Sequence, residues 1–151
     1  MAQITVNESA GDFTHVVKLT FAQLKSIGSG NSKSILILPA GSAVDLVGIV
    51  ETVAIAGSSS LLAEVGYTGA TDAFIASLDL SAQAVNTPVF NTGSDFVKSA
   101  ATTTIKGGSL PVKIVSADTT VSIKVTDAAL ASVTAGEIVI GFRVINLTRF
   151  R

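Results

Sequence analysis

The most constraining stretch of the chain is its last apolar run, Glu137 to Leu147, EIVIGFRVINL. In an extended strand Ile138, Ile140, Phe142 and Val144 share one face, and Val139, Ile145 and Leu147 share the other. A strand with one solvated face alternates apolar and polar residues; a strand apolar on both faces must be covered on both. Thr119 to Thr126 shows the ordinary pattern, with Val121, Ile123 and Val125 opposite Ser122, Lys124 and Thr126. Runs of this kind recur along the chain and are rich in β-branched residues. They stop at Gly, Pro, Ser or Asp, and none sustains a helical period.

The earlier runs fit the same scheme. Phe13 to Phe21 alternates, placing Phe13, His15, Val17, Leu19 and Phe21 on one face; the FAQLKSIG that begins at Phe21 adds a helical turn before the GSGNS loop. Ser34 to Leu38 is short and apolar, and Pro39-Ala40-Gly41-Ser42 is a turn. Ala43 to Ala56 reads as one long strand whose apolar set changes face from Val44 and Leu46 to Val47, Ile49, Val53 and Ile55, with Gly48 at the change as a bulge or bend. Gly57 to Ser60 reads as a hairpin loop into Leu61–Tyr67. In GYTGATDAFIAS, Thr71 or Asp72 caps a short helix ending near Ser77. Ser81 to Lys98 is irregular, with Val89-Phe90 and Phe96-Val97 as edge pieces. Thr102 to Lys106 is a strand, Leu110 to Val115 pairs with Thr119 to Thr126, and DAALASVTAGE is a loop holding one helical turn. The expected fold is all-β: an antiparallel β-sandwich, jelly-roll-like, of about eight or nine strands with one or two short helical turns. One domain over residues 1–151 is expected, with 1–12 as an extended arm.

Composition narrows the function. Net charge is -1 and only 14% of residues are charged, so nothing draws the chain to nucleic acid or an anionic membrane. Cysteine is absent, which excludes disulfides and thiolate metal sites. The opening MAQITVNESAGDF has neither a basic n-region nor an apolar h-region, so no secretory signal is expected. Hydrophobic residues make up 48% of the chain. So little charge beside so much apolar surface implies that part of the outside is buried against other copies or a partner.

Catalytic patterns are thin. GYTGATDAF lacks the Lys or Arg of a phosphate loop, and Asp72 would repel a phosphate. In the segment Gly28 to Ser34, Ser32 and Ile27 stand where a Walker A motif needs glycines. His15 is the one histidine and shares a strand face with Phe13 and Val17, as a core or interface residue. Asp72 and Asp79 lie across the expected helix; Glu51 and Glu64 are expected as cross-strand neighbours, a glycosidase-like pair only within an aromatic-lined cleft. With no Trp and one Tyr, such a cleft has few sugar platforms. The expectation is no enzyme, no cofactor and no metal. Val47, Ile49, Val139, Ile145 and Leu147 are the candidate subunit-interface residues, and Arg149, Phe150 and Arg151 the candidate partner-docking tail.

The order of these segments resembles a known group. Pro39-Ala40-Gly41 leads into a long strand, a return strand follows, then the Gly66 to Phe74 corner and Leu78-Asp79-Leu80; the chain ends in TTVSIKVTD and TAGEIVIGFRVINL. Across residues 13 to 147 this is similar to the small β-sandwich virion proteins of tailed bacteriophages. That resemblance implies a capsid decoration (cement) protein, or another head or tail accessory part such as a fibre adhesin. It further implies a homotrimer, the major capsid protein as partner, and a place on the virion capsid surface after synthesis in the host cytoplasm.

Overall fold

The computed structural model describes residues 3–5, 13–96 and 112–150. In chain order these form β1 (Gln3–Thr5), β2 (His15–Thr20), helix α1 (Phe21–Ile27), β3 (Ser32–Leu38), β4 (Ser42–Ala56), β5 (Leu62–Tyr67), β6 (Ala70–Asp79), β7 (Val89–Phe90), β8 (Lys113–Ile114), β9 (Thr119–Thr126) and β10 (Ala135–Asn146). Single 3-10 turns occupy Leu80–Ala82, Leu130–Ser132 and Leu147–Phe150. The expected strand Thr102–Lys106, the first two residues of the Leu110–Val115 piece, Val97 of the Phe96–Val97 piece, and the expected arm 1–12 apart from Gln3–Thr5 lie outside the described residues.

The strands form two antiparallel sheets. One runs β1-β2-β10-β4-β7, with β8 also on β4; the other runs β3-β9-β5-β6. The pairs β2/β10, β3/β9, β4/β7 and β5/β6 nest one inside the next. A long antiparallel ribbon rolled over itself gives this order, the jelly roll. The sheets bury one face each against the other, which is why β2 and β9 alternate as strictly as they do: Val17, Leu19, Val121, Ile123 and Val125 have no exposed surface. Phe142 on β10 meets Phe74 on β6 edge to face across the gap, with ring centres 6.5 Å apart. Tyr67 and Phe96 pack on the same Phe74 ring at 5.9 and 5.8 Å.

Helix α1 is longer than the single turn read from FAQLKSIG. Gln23 Oε1 accepts both the Thr20 backbone N–H (2.9 Å) and the Thr20 hydroxyl (3.2 Å), closing the N-terminus. Leu24 then anchors the helix in the core. The turn within DAALASVTAGE is present at Leu130–Ser132.

Four expectations about the chain path fail for tertiary reasons. Leu110–Val115 does not form a hairpin with Thr119–Thr126: Lys113 and Ile114 pair with Val44 and Ala43 of β4 in the first sheet, while β9 lies in the second between β3 and β5. The GYTGATDAFIAS corner is a hairpin, not a strand-to-helix junction: Tyr67 pairs with Ala70, Gly69 takes the left-handed turn position (φ 91), and Ala70 onward is strand β6. Asp72 therefore caps nothing. Burial of Ala73, Phe74 and Ile75, together with bonds from Gly93, Ser94 and Asp95 to the β6 carbonyls, outweighs the local capping signal. Gly57–Ser60 is not a hairpin loop but a crossing from one sheet to the other, because β4 and β5 belong to different sheets. Gly48 is not the bulge. It faces Gly141 in regular register, and the extra residue nearest it on β4 is Asp45, skipped between the Arg143–Leu46 and Val144–Val44 pairs; two further register shifts lie between Ala135 and Ile138 of β10.

Candidate functional site

The bulge at Asp45 changes which residues face outward. Val44 and Val47, three apart, both point into the core. Val47 and Ile49 thus bury their side chains in the core, at 0% and 1% exposure, and do not present them outward as expected, although Ile49 also borders the groove described below. The sequence showed two apolar faces on β4 where the folded strand has one, interrupted by an inserted residue.

The real outer face of the first sheet is built on glycine. Val16, Gly141, Gly48 and Phe90 are successive partners across β2, β10, β4 and β7. In the next row outward along the strands, Lys18, Val139 and Val50 are partners. A Cβ added to Gly141 would lie 2.6 Å from the Phe13 ring, and one on Gly48 would lie 2.6 Å from the Phe90 ring. The two rings rest on the bare glycine backbone, nearly parallel at 15° with centres 6.4 Å apart. Phe13 is thus on the outer face, not on the inner one with Val17, because the bend at Thr14 precedes the strand. Phe13, Val16, Val50, Pro88, Phe90 and Val139 enclose a groove of about 370 Å³, with Asn86 on its rim. Phe90 remains 46% exposed.

Ion pairs stand two residues along β10 in either direction from this floor. Glu137 bonds Lys18 at 2.8 Å and accepts the Thr52 hydroxyl at 2.7 Å. The Lys18 ammonium, then the Thr52 hydroxyl, hold its carboxyl below the usual range. Arg143 grips Asp45 with two bonds, Nε–Oδ1 at 2.7 Å and a second to Oδ2 at 2.9 Å. The other large exposed apolar side chains gather near this sheet: Val53, Ile145 and Ile114 on its strands, Val85 and Val112 just before β7 and β8. In the second sheet Ile37 alone is comparable among the described residues. That sheet's outer face is polar, with Lys124 paired to Glu64 at 3.3 Å and Thr71 donating to the same carboxylate at 2.8 Å.

The other sequence candidates separate. Val139 lines the groove, Ile145 is 38% exposed, and Leu147 is half-buried with its N–H bonded to the Gly41 carbonyl. The side chains of Arg149 and Phe150, and Arg151 altogether, lie outside the described residues. Phe13, Gly48, Gly141 and Phe90 were missed as a site. The available signal was one glycine inside each of two apolar strands, LVGIV and VIGFR.

Among the described residues the carboxylates do not cluster. Glu51 and Glu64, expected as neighbours, sit in different sheets and point into different surroundings. Asp79 caps the turn at Ser81, and Asp72 accepts the Ser94 hydroxyl. No group of three or more potential metal ligands occurs among the described residues. His15 is half-buried with Nδ1 against the Thr14 hydroxyl at 2.9 Å, and burial lowers its pKa. Tyr67, Asp95 and Lys113 form a closed triangle: the phenol donates to Asp95 (2.8 Å), and Lys113 reaches both Tyr67 (2.6 Å) and Asp95 (3.0 Å). Burial pulls the Lys113 pKa down, but the bonds to Tyr67 and Asp95 and the attraction of those two groups together raise it, and the ammonium ties β8 to β5. No helix among the described residues is long and apolar enough to cross a membrane.

No protein-family model matches the chain, and no curated protein matches it. Among solved structures, a chain of the acidic stable capsid structure of Helicobacter pylori bacteriophage KHP30 aligns with it at 18% identity. The alignment covers 96% of this chain and 97% of that one, with a TM-score of 0.47.

Proposed function

We propose that this protein is a structural component of a phage virion, a decoration (cement) protein that docks the outer face of its first sheet on the assembled head. The observation that carries the reading is the contrast between the two outer faces: a glycine-floored apolar groove on one, ion-paired polar residues on the other. An apolar face with this rim of exposed Phe, Val and Ile suits burial against a partner. The resemblance of the PAG turn, the Gly66 to Phe74 segment and the closing strands to phage β-sandwich proteins supports the same reading. We take the role to be non-enzymatic, a reading supported by the dispersal of the described carboxylates over both sheets. The protein acts as a homotrimer with the major capsid protein as its partner. Binding the assembled shell in preference to its free subunits stabilises the shell by mass action, as a ligand stabilises the state it binds.

The test adds purified protein to heads that lack it. Saturable binding to assembled heads, none to free capsid subunits, and DNA release at a higher temperature are expected. Equal release temperatures with and without the protein would refute the cement role. Density on a fibre or tail in a map of the intact particle would move the reading to an adhesin.

A further inference from the structure

Glu51 is the one acidic residue that β4 turns inward beside Ile49. It is 3% exposed, and its Oε2 has no hydrogen-bond partner among the described residues. Its Oε1 accepts the N–H of Ile55, four residues on, across the irregular register at Thr52. Its backbone carbonyl accepts the N–H of Asn86 at 2.8 Å, and Asn86 holds a left-handed conformation (φ 63). Asn86 and Val50, the residue just before Glu51, both border the outer groove.

We propose that Glu51 is an internal proton-binding site whose charge state sets the shape of the outer-face groove. The neutral carboxyl fits this enclosure: its one bond to Ile55 holds the strand end, and a protonated oxygen needs no counter-charge. An ionised carboxylate with an orphaned oxygen demands water or a donor, and a buried charge without either is strongly disfavoured. None of the ionisable groups on the elements packed against β4 hydrogen-bonds to Oε2. Glu137 is held by Lys18 and Thr52, Arg143 binds Asp45, Asp79 caps Ser81, Asp72 bonds Ser94, and Lys113 bonds Tyr67 and Asp95. Arg149, on the last 3-10 turn, has its side chain outside the described residues. Ionisation is therefore met by letting water in, which loosens the Glu51–Ile55 segment and, through the Glu51 carbonyl, releases Asn86 from the groove rim. Burial raises the carboxyl's pKa, and the Ile55 N–H opposes that rise.

The inference rests on the docking reading for its meaning, but its measurement needs no partner. The isolated protein is titrated by carbon NMR of the Glu51 carboxyl together with amide shifts of Val50, Ile55 and Asn86. A carboxyl midpoint above the ordinary 4.5, tracked by all three amides, is the expected result. The amide movements should vanish in Glu51→Gln, with Glu51→Met as a second variant should the amide side chain disturb folding. A midpoint at or below the ordinary value, or Val50 and Asn86 amides that ignore it, overturns the proposal whether or not the protein binds heads.

Discussion

Gly48 on β4 faces Gly141 on β10, and the Phe13 ring lies on the bare backbone between them. The absent side chains make the groove, so adding one should close it. Gly141→Val places a Cβ 2.6 Å from the Phe13 ring. The neighbour is the Phe13 ring just ahead of β2, which is only half-buried, so Phe13 should swing away while the sandwich persists. Thermal melting within a few degrees of the parent, with affinity for assembled heads down at least tenfold, is expected. Undiminished binding would remove the groove from the docking surface.

Phe74 is the hub of the inter-sheet core, touching Phe142, Tyr67 and Phe96. Phe74→Ala leaves a cavity that the two sheets cannot collapse to fill. The expected cost is about 3–5 kcal/mol in urea unfolding. A loss below about 1 kcal/mol would mean that the neighbours repack.

Asp45 is the residue inserted into β4, and its carboxylate is clamped by Arg143. Arg143 is 38% exposed, so solvent screens much of the attraction. Asp45→Ala should cost about 1 kcal/mol, shrinking as salt is raised. A salt-independent loss would point to the bulge's backbone and not to the ion pair.

Acid dependence has opposing parts. Glu51 has a raised pKa in the folded state, so its contribution is fully present below the unfolded value of 4.5 and is lost as pH rises through the folded value. His15 is lowered by burial, so its contribution is present above the unfolded value of 6.5 and is lost as pH falls through the folded value. Melting curves from pH 4 to 8 should show Glu51→Gln abolishing the loss on the alkaline side of 4.5, and His15→Gln abolishing the loss below 6.5. Glu137, lowered by Lys18, adds a further acid loss below 4.5. Parallel curves for parent and Glu51→Gln would show that Glu51 titrates normally.

Much of the fold was legible without coordinates. The two-residue period of β2 and β9 and the doubly apolar β10 determined an all-β sandwich with more apolar strand surface than one inner face can hide, because side-chain alternation is a local consequence of extended backbone. The groove was not legible. Parity along β4 depends on the residue inserted at Asp45, and that insertion exists only relative to β10. One bulge moved Val47 and Ile49 from the expected outer face into the core. The same limit applies to Asp72: a cap and a strand position look alike in sequence until Phe74 finds Phe142 in the opposite sheet. What the amino-acid order determined by itself was strand, turn and the excess of apolar surface. Tertiary structure alone decided which of that surface stays outside, since facing glycines and buried carboxylates acquire meaning only when strands distant in the chain are laid side by side.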